Sequence, residues 1–145
     1  FPAKNYAAVR GEVSFEEMPA FYEASFATLM QEVQKKRVRM VGAPAGLYYS
    51  WDEQQMRTDM AAAVPIRGNL SGAGIEIIHI PAQTAFLVDH YGSYEELGTS
   101  HEALDYHLAK QGLVMKSPVI EEYITDPTNE PDTSKWLTKI YYLYE

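Results

Sequence analysis

Two stretches of the chain, Tyr6 to Glu12 and Ala82 to Tyr91, are apolar and partly β-branched, as strands with a buried face are. Each runs into the same punctuation, Ser14-Phe-Glu-Glu in one case and Ser93-Tyr-Glu-Glu in the other. Both have the form of a capping box, in which the serine oxygen and the glutamate three residues on satisfy the orphan amides of a starting helix. Beyond Ser93 the apolar period lengthens to that of a helix, with Leu97, Leu104 and Leu108 on one face from about Tyr94 to Gln111 and Gly112 placed to end it. Beyond Ser14 the pattern is interrupted by Pro19, which predicts one loose turn before a main helix through Phe21, Phe26, Leu29, Met30 and Val33. Two strands then follow each helix: Gly46 to Trp51 with Arg57 to Ile66, and Val119 to Thr125 with Lys135 to Tyr144. The segment DPTNEPD between the last two has the Pro, Asn and Asp of a surface loop.

The two halves also match residue by residue. Residues 1–17 align without gaps on residues 80–96, pairing Pro2 with Pro81, Ala3 with Ala82, Val9 with Val88, Ser14 with Ser93, and Glu16 and Glu17 with Glu95 and Glu96. Farther along, PAGLYYSWD (44–52) lies over PVIEEYITD (118–126), pairing Tyr49 with Tyr123 and Asp52 with Asp126. The chain therefore reads as a single domain, residues 1–145, built from two β-α-β-β modules at about 1–70 and 74–145. Such a module buries one sheet face under its helix. Two of them predict an α+β fold with pseudo-twofold symmetry, an antiparallel sheet with helices on one side, and a central cleft where the modules meet.

Composition narrows the function. The net charge of −8, from 12 basic and 20 acidic side chains, argues against direct nucleic-acid contact, which rests on Lys and Arg neutralising phosphates. The one basic cluster, Lys35, Lys36, Arg37 and Arg39, falls at the predicted end of the first helix, where cations complement the helix dipole. No cysteine is present, which suits a reducing cytoplasm and leaves no thiolate for a metal, and no apolar run is long enough to span a membrane. The chain opens on Phe1, which leaves room for a leader or a further domain ahead of it.

Against that background the pair Glu121 and Glu122, in the middle of a predicted strand, asks for a reason. Side chains alternate across a strand, so Ile120, Glu122 and Ile124 share one face and Glu121 and Tyr123 the other. With the isoleucines set against the helix, Glu121 and Tyr123 face the cleft and Glu122 reaches water near an edge. The same alternation adds Leu47, Tyr49 and Trp51 from the first module, and Tyr142 from the final strand completes the aromatic walls. A partly desolvated carboxylate among rings prefers a bulky organic cation, which neutralises the charge and lies against the negative ring faces. The competing reading leaves Glu121 solvated on an exposed strand face or paired with Lys139.

The run of HYGSYEEL (90–97), PVIEEYITDP (118–127) and SKWLTKIYYLYE (134–145) resembles the GyrI-like small-molecule-binding family, and through it the effector-binding domains of AraC-type and MerR-type transcription regulators. The resemblance implies a duplicated β-α-β-β fold whose cleft takes hydrophobic, often cationic molecules on a glutamate matching Glu121, with Tyr123 matching the family's tyrosine. Ile120 stands where an aromatic residue is common in related sequences, and no helix-turn-helix pattern precedes Phe1.

The leading expectation is thus a ligand-binding module whose contacts are Glu121, Tyr123, Tyr49, Trp51 and Tyr142, with a hydrophobic cation as partner, no direct nucleic-acid or membrane contact, no cofactor, and a protein partner left open. The alternative is a hydrolase of reactive electrophiles in which Glu121 orients water or protonates a leaving oxygen. No G-x-S-x-G, H-E-x-x-H or P-loop pattern occurs. The four histidines, His79, His90, His101 and His107, form no i, i+4 pair, so a haem or metal site is disfavoured and each is read as structural.

Overall fold

The computed structural model describes Phe1 to Tyr144. The elements in chain order are β1 (Lys4–Ser14), α1 (Met18–Lys35), β2 (Arg39–Met40), β3 (Ala45–Asp52), β4 (Arg57–Arg67), β5 (Glu76–Ile80), β6 (Ala85–Tyr91), α2 (Leu97–Gln111), β7 (Val119–Tyr123) and β8 (Leu137–Leu143). The paired strands are antiparallel and follow one another as β5-β1-β4-β3-β7-β8-β6, with β2 added alongside β4. The order β1-β4-β3 on one side of the central β3–β7 pair is mirrored by β6-β8-β7 on the other. The fold is α+β, as the sequence pattern predicts. The short strands β2 and β5 are additions to that reading, and β5 covers the outer edge of β1 while no strand lies outside β6 among the described residues.

Apolar residues on both faces of the sheet are buried, and each face is covered differently. On one face α1 sets Leu29 and Val33 against Ala7, Ala62, Val64 and Ile66, while α2 sets Leu97, Leu104 and Leu108 against Ile140 and Tyr142. The other face carries Tyr6, Ala8, Leu47, Ala61, Ala63, Ile120 and Leu143, all but fully buried without a helix over them. Curvature accounts for this. Lys4 on β1 and Glu122 on β7 are three strands apart, about 14 Å in a flat sheet, yet their side chains pair at 2.9 Å. The Phe1 ring likewise meets Tyr141 edge-on at 5.1 Å, and the Phe1 amine donates to the Gln83 carbonyl at 2.8 Å. The sheet curls until its helix-free face closes on itself, and the helices ride on the outer, convex face.

The helix starts refine the sequence reading. Ser14 forms the full capping box: its hydroxyl accepts from the Glu17 amide at 3.2 Å and its own amide donates to the Glu17 carboxylate at 3.0 Å. Pro19 does not break a helix; it sits in the first turn of α1, where a missing N–H costs nothing, after a single 3₁₀ turn at Phe15–Glu17. The matching Ser93 makes no side-chain cap. That corner is tied instead by His90, whose ring bonds the Ser100 hydroxyl at 2.8 Å and the Ser93 carbonyl at 3.1 Å. Gly112 ends α2 in the left-handed conformation, φ 69°, as expected.

Candidate functional site

Convex curvature splays the side chains between the two helices, so the middle of the sheet, β3 and β7, needs large residues to cover it. Gly46 and Tyr48 on β3 and Glu121 and Tyr123 on β7 occupy this strip, with Gly46 directly opposite Glu121. Glu121 is 5% exposed. Tyr123 donates to its Oε1 at 2.7 Å, and His101 of α2 donates through Nε2 to its Oε2 at 2.6 Å. With that proton on Nε2, Nδ1 of His101 accepts from the Tyr142 hydroxyl at 2.6 Å. From α1, Tyr22 meets the Tyr48 hydroxyl at 2.5 Å and that of Tyr123 at 3.0 Å, closing a triangle of three phenols over the carboxylate. Tyr94 stands edge-on to Tyr123 at 5.6 Å and leans on Trp136 at 5.3 Å.

Gly46 is what lets the triangle form. A Cβ there would fall 2.7 Å from the Tyr123 hydroxyl and closer still to that of Tyr22. This is the usual meaning of a glycine inside a strand, a close approach by a neighbour.

The electrostatics follow from burial. Desolvation, followed by the charge of Glu121, holds the phenols of Tyr22, Tyr48 and Tyr123 well above the ordinary tyrosine range. For Tyr142 desolvation again leads, followed by the charge of Asp105 one turn beyond His101. All these tyrosines are neutral donors at physiological pH. Among the described residues Glu121 has no Lys or Arg partner, and its basic partner is His101. Glu122, one residue on, differs completely. It lies on the closed concave face, 5% exposed and paired with Lys4, not at a wet edge.

The structure sorts the residues expected from sequence. Glu121, Tyr123 and Tyr142 are brought together through His101. Trp51 shares their face at the far end of the strip, about half exposed, stacked on Phe15 at 4.3 Å and edge-on to Tyr48 at 5.8 Å. Tyr49 lies apart on the concave face under the Arg10 guanidinium, 3.9 Å from its ring centre. The phase of β3 is the cause: Gly46, not Leu47, stands opposite Glu121, so Leu47 and Tyr49 fall on the concave face with Ile120, and the bulge between Tyr48 and Ser50 then brings Trp51 back to the face of Tyr48. Ile120 also faces away from the helices, because a sheet buried on both sides gives an isoleucine two apolar destinations. Tyr22, Tyr48, Tyr94 and His101 are the members of the strip that sequence reasoning missed.

One cavity, ≈ 380 Å³, lies at the sheet margin between Ala3–Asn5 and Pro65–Gly68, and another, ≈ 110 Å³, lies beside Asp52 and Arg57; Glu121 lines neither. The phenol triangle fills the space between the helices.

Comparison with known proteins gives a consistent picture. Residues 1–144 match the GyrI-like small molecule binding domain. Comparison with curated protein sequences gives no match. Among solved structures, the EcmrR C-terminal domain superposes with a TM-score of 0.82 at 22% identity, covering 100% of this chain and 93% of that one. The EcmrR–DNA complex gives 0.85 at 22% identity, and there this chain, covered in full, spans 55% of the other. SAV2435 bound to tetraphenylphosphonium gives 0.70 at 11% identity over 100% of this chain and 90% of that one.

Proposed function

The chain belongs to the GyrI-like small-molecule-binding family, and from that premise we propose that the strip between its helices receives hydrophobic organic cations, with Glu121 as counter-charge and Tyr22, Tyr48, Tyr94, Tyr123 and Trp51 as walls. The observation that carries this is a carboxylate buried to 5% exposure with two neutral-capable donors and no permanent cation. Burying an ion without a fixed partner costs several kcal/mol even after relaxation. A ligand with a delocalised positive charge recovers part of that cost and offers apolar area to the rings, each ring face adding a further attraction. A phosphate or other anion would deepen the deficit.

The hydrophobic part of the ligand takes the place of the phenol triangle. Entry parts Tyr22 from Tyr48 and Tyr123, exchanging phenol–phenol hydrogen bonds for ring contacts, and the cation settles against Glu121. That SAV2435 has been seen with tetraphenylphosphonium supports this choice of ligand class. That EcmrR bears this domain alongside DNA supports a sensing role in which the domain reports ligand to a partner module.

A thermal-shift screen of matched cationic and neutral aromatics tests the reading. A ligand that prefers the folded state raises Tm by mass action, by about 2.7 kcal/mol of stability at a hundredfold excess over Kd. Cationic members should raise Tm by more than their neutral counterparts. Equal shifts for both would remove the carboxylate from the account.

A further inference from the structure

Resting on that reading, we propose that His101 is the residue that sets the charge preference of the site, because it is the resident donor on Glu121 that a ligand has to replace, and its protonation decides whether a cation gains anything by doing so. The geometry supplies the argument. Both oxygens of Glu121 are already hydrogen-bonded, Oε1 by Tyr123 at 2.7 Å and Oε2 by His101 at 2.6 Å. A neutral ligand offering an N–H or O–H only exchanges one donor for another. A permanent cation adds charge neutralisation, provided that His101 is itself neutral.

Once His101 is protonated it forms an ion pair with Glu121, and the position of the counter-charge is taken. An incoming cation then meets either a positive neighbour or an imidazolium that must release its proton. The surroundings of His101 are arranged to allow both states. Its ring bonds Glu121 of β7 and Tyr142 of β8; Tyr123 holds the other oxygen of Glu121 with Tyr94 and the α1 residue Tyr22 behind it, and Asp105, one turn on along α2, acts on the Tyr142 phenol. With neutral His101, Tyr142 donates to Nδ1. With protonated His101, Nδ1 becomes the donor and the Tyr142 hydroxyl turns toward the Asp105 carboxylate, which already acts on that phenol. The His101 side chain is 24% exposed, so its proton has a route to solvent, whereas Glu121 beneath it is 6% exposed.

Binding of a cation is therefore coupled to loss of the His101 proton. Tetraphenylphosphonium, which has a fixed charge and no proton of its own, is the probe, and triphenylphosphine oxide is the neutral control. Affinity of the wild-type chain for the cation is measured by calorimetry from pH 5.5 to 8.5. As the pH is lowered and His101 takes up its proton, the affinity should fall by up to about tenfold per pH unit, the slope of one linked proton. The heat of binding should differ between buffers of different ionisation enthalpy, a readout that needs no variant. His101→Gln keeps a neutral donor to Glu121 and should flatten the pH profile whatever its absolute affinity, while the phosphine oxide should show no pH dependence with either chain.

A flat wild-type profile with no buffer-dependent heat, together with a large loss of cation affinity in Glu121→Gln, overturns the role of His101 and leaves the proposed site standing. Unchanged cation affinity in Glu121→Gln overturns the proposed site itself.

Discussion

Glu121→Gln should make the protein more stable, and this follows from the accounting at one side chain. The substitution keeps the shape and removes the charge. Its two hydrogen bonds, at 2.6 and 2.7 Å, lose their charge assistance, at about 1 kcal/mol each, the difference between bonds to charged and to neutral groups. Against that loss of about 2 kcal/mol stands relief from burying an ion that no Lys or Arg partners, about 3 to 4 kcal/mol after relaxation. The glutamine can still be satisfied: its Oε1 accepts from His101, and its amide donates to the Tyr123 oxygen, whose own proton turns toward Tyr22 or Tyr48. The net is a gain of about 1 to 2 kcal/mol, or about 3 to 6 °C in Tm for a chain of this size. The assay is urea denaturation with thermal scans at pH 8. A fall of 1 kcal/mol or more would refute the reasoning, since it would mean that Tyr123 and His101 already compensate the carboxylate and that no cation is wanted. A binding site that costs stability is a common feature of functional groups.

Further substitutions test the scaffold. Gly46→Ala should cost about 1 to 3 kcal/mol in urea denaturation, as overpacking does, because its methyl group meets the Tyr22 and Tyr123 hydroxyls. Ser14→Ala should lose about 1 kcal/mol with its capping box, and Ser93→Ala, whose side chain caps nothing, should change little by the same measurement. Lys4→Met should cost about 3 kcal/mol or more by leaving Glu122 buried and unpaired, and Lys4→Met with Glu122→Leu should recover most of it. Burial, then Glu122, raises the Tyr141 phenol to about 12. A raised phenol pKa contributes stability that is complete below the unfolded value near about 10 and is lost as pH climbs toward 12. Tyrosinate absorbance should therefore lag the free-phenol curve until the fold is lost, and denaturation midpoints should fall across that window.

Much of this architecture was legible because it is written twice. Repeated S-x-x-E signals and paired strand patterns gave the order of elements, and Glu121 stood out as an acid inside a strand. The failures share a cause, which is that local pattern does not report long-range geometry. The pairing register sets Gly46 rather than Leu47 opposite Glu121, so that aligning the two modules residue by residue assigns Leu47 and Tyr49 to the wrong face, and only the bulge after Tyr48 returns Trp51 to the right one. A sheet curled onto itself buries both faces, so that Ile120 could not serve as a compass for Glu121 and Glu122. His101 carries no motif: it reaches Glu121 only because α2 crosses β7 at that turn. Gly46 was the missed signal, a glycine inside a strand of bulky residues that marks where neighbouring side chains converge.

The account's central claim concerns the charge at position 121, and calorimetry of tetraphenylphosphonium and triphenylphosphine oxide against wild type and Glu121→Gln at pH 8 tests it most directly. The account predicts that the substitution weakens the cation by about thirtyfold, the equivalent of about 2 kcal/mol of desolvated charge interaction, and leaves the neutral compound within about twofold. Parallel losses for both compounds, or none for either, would contradict it.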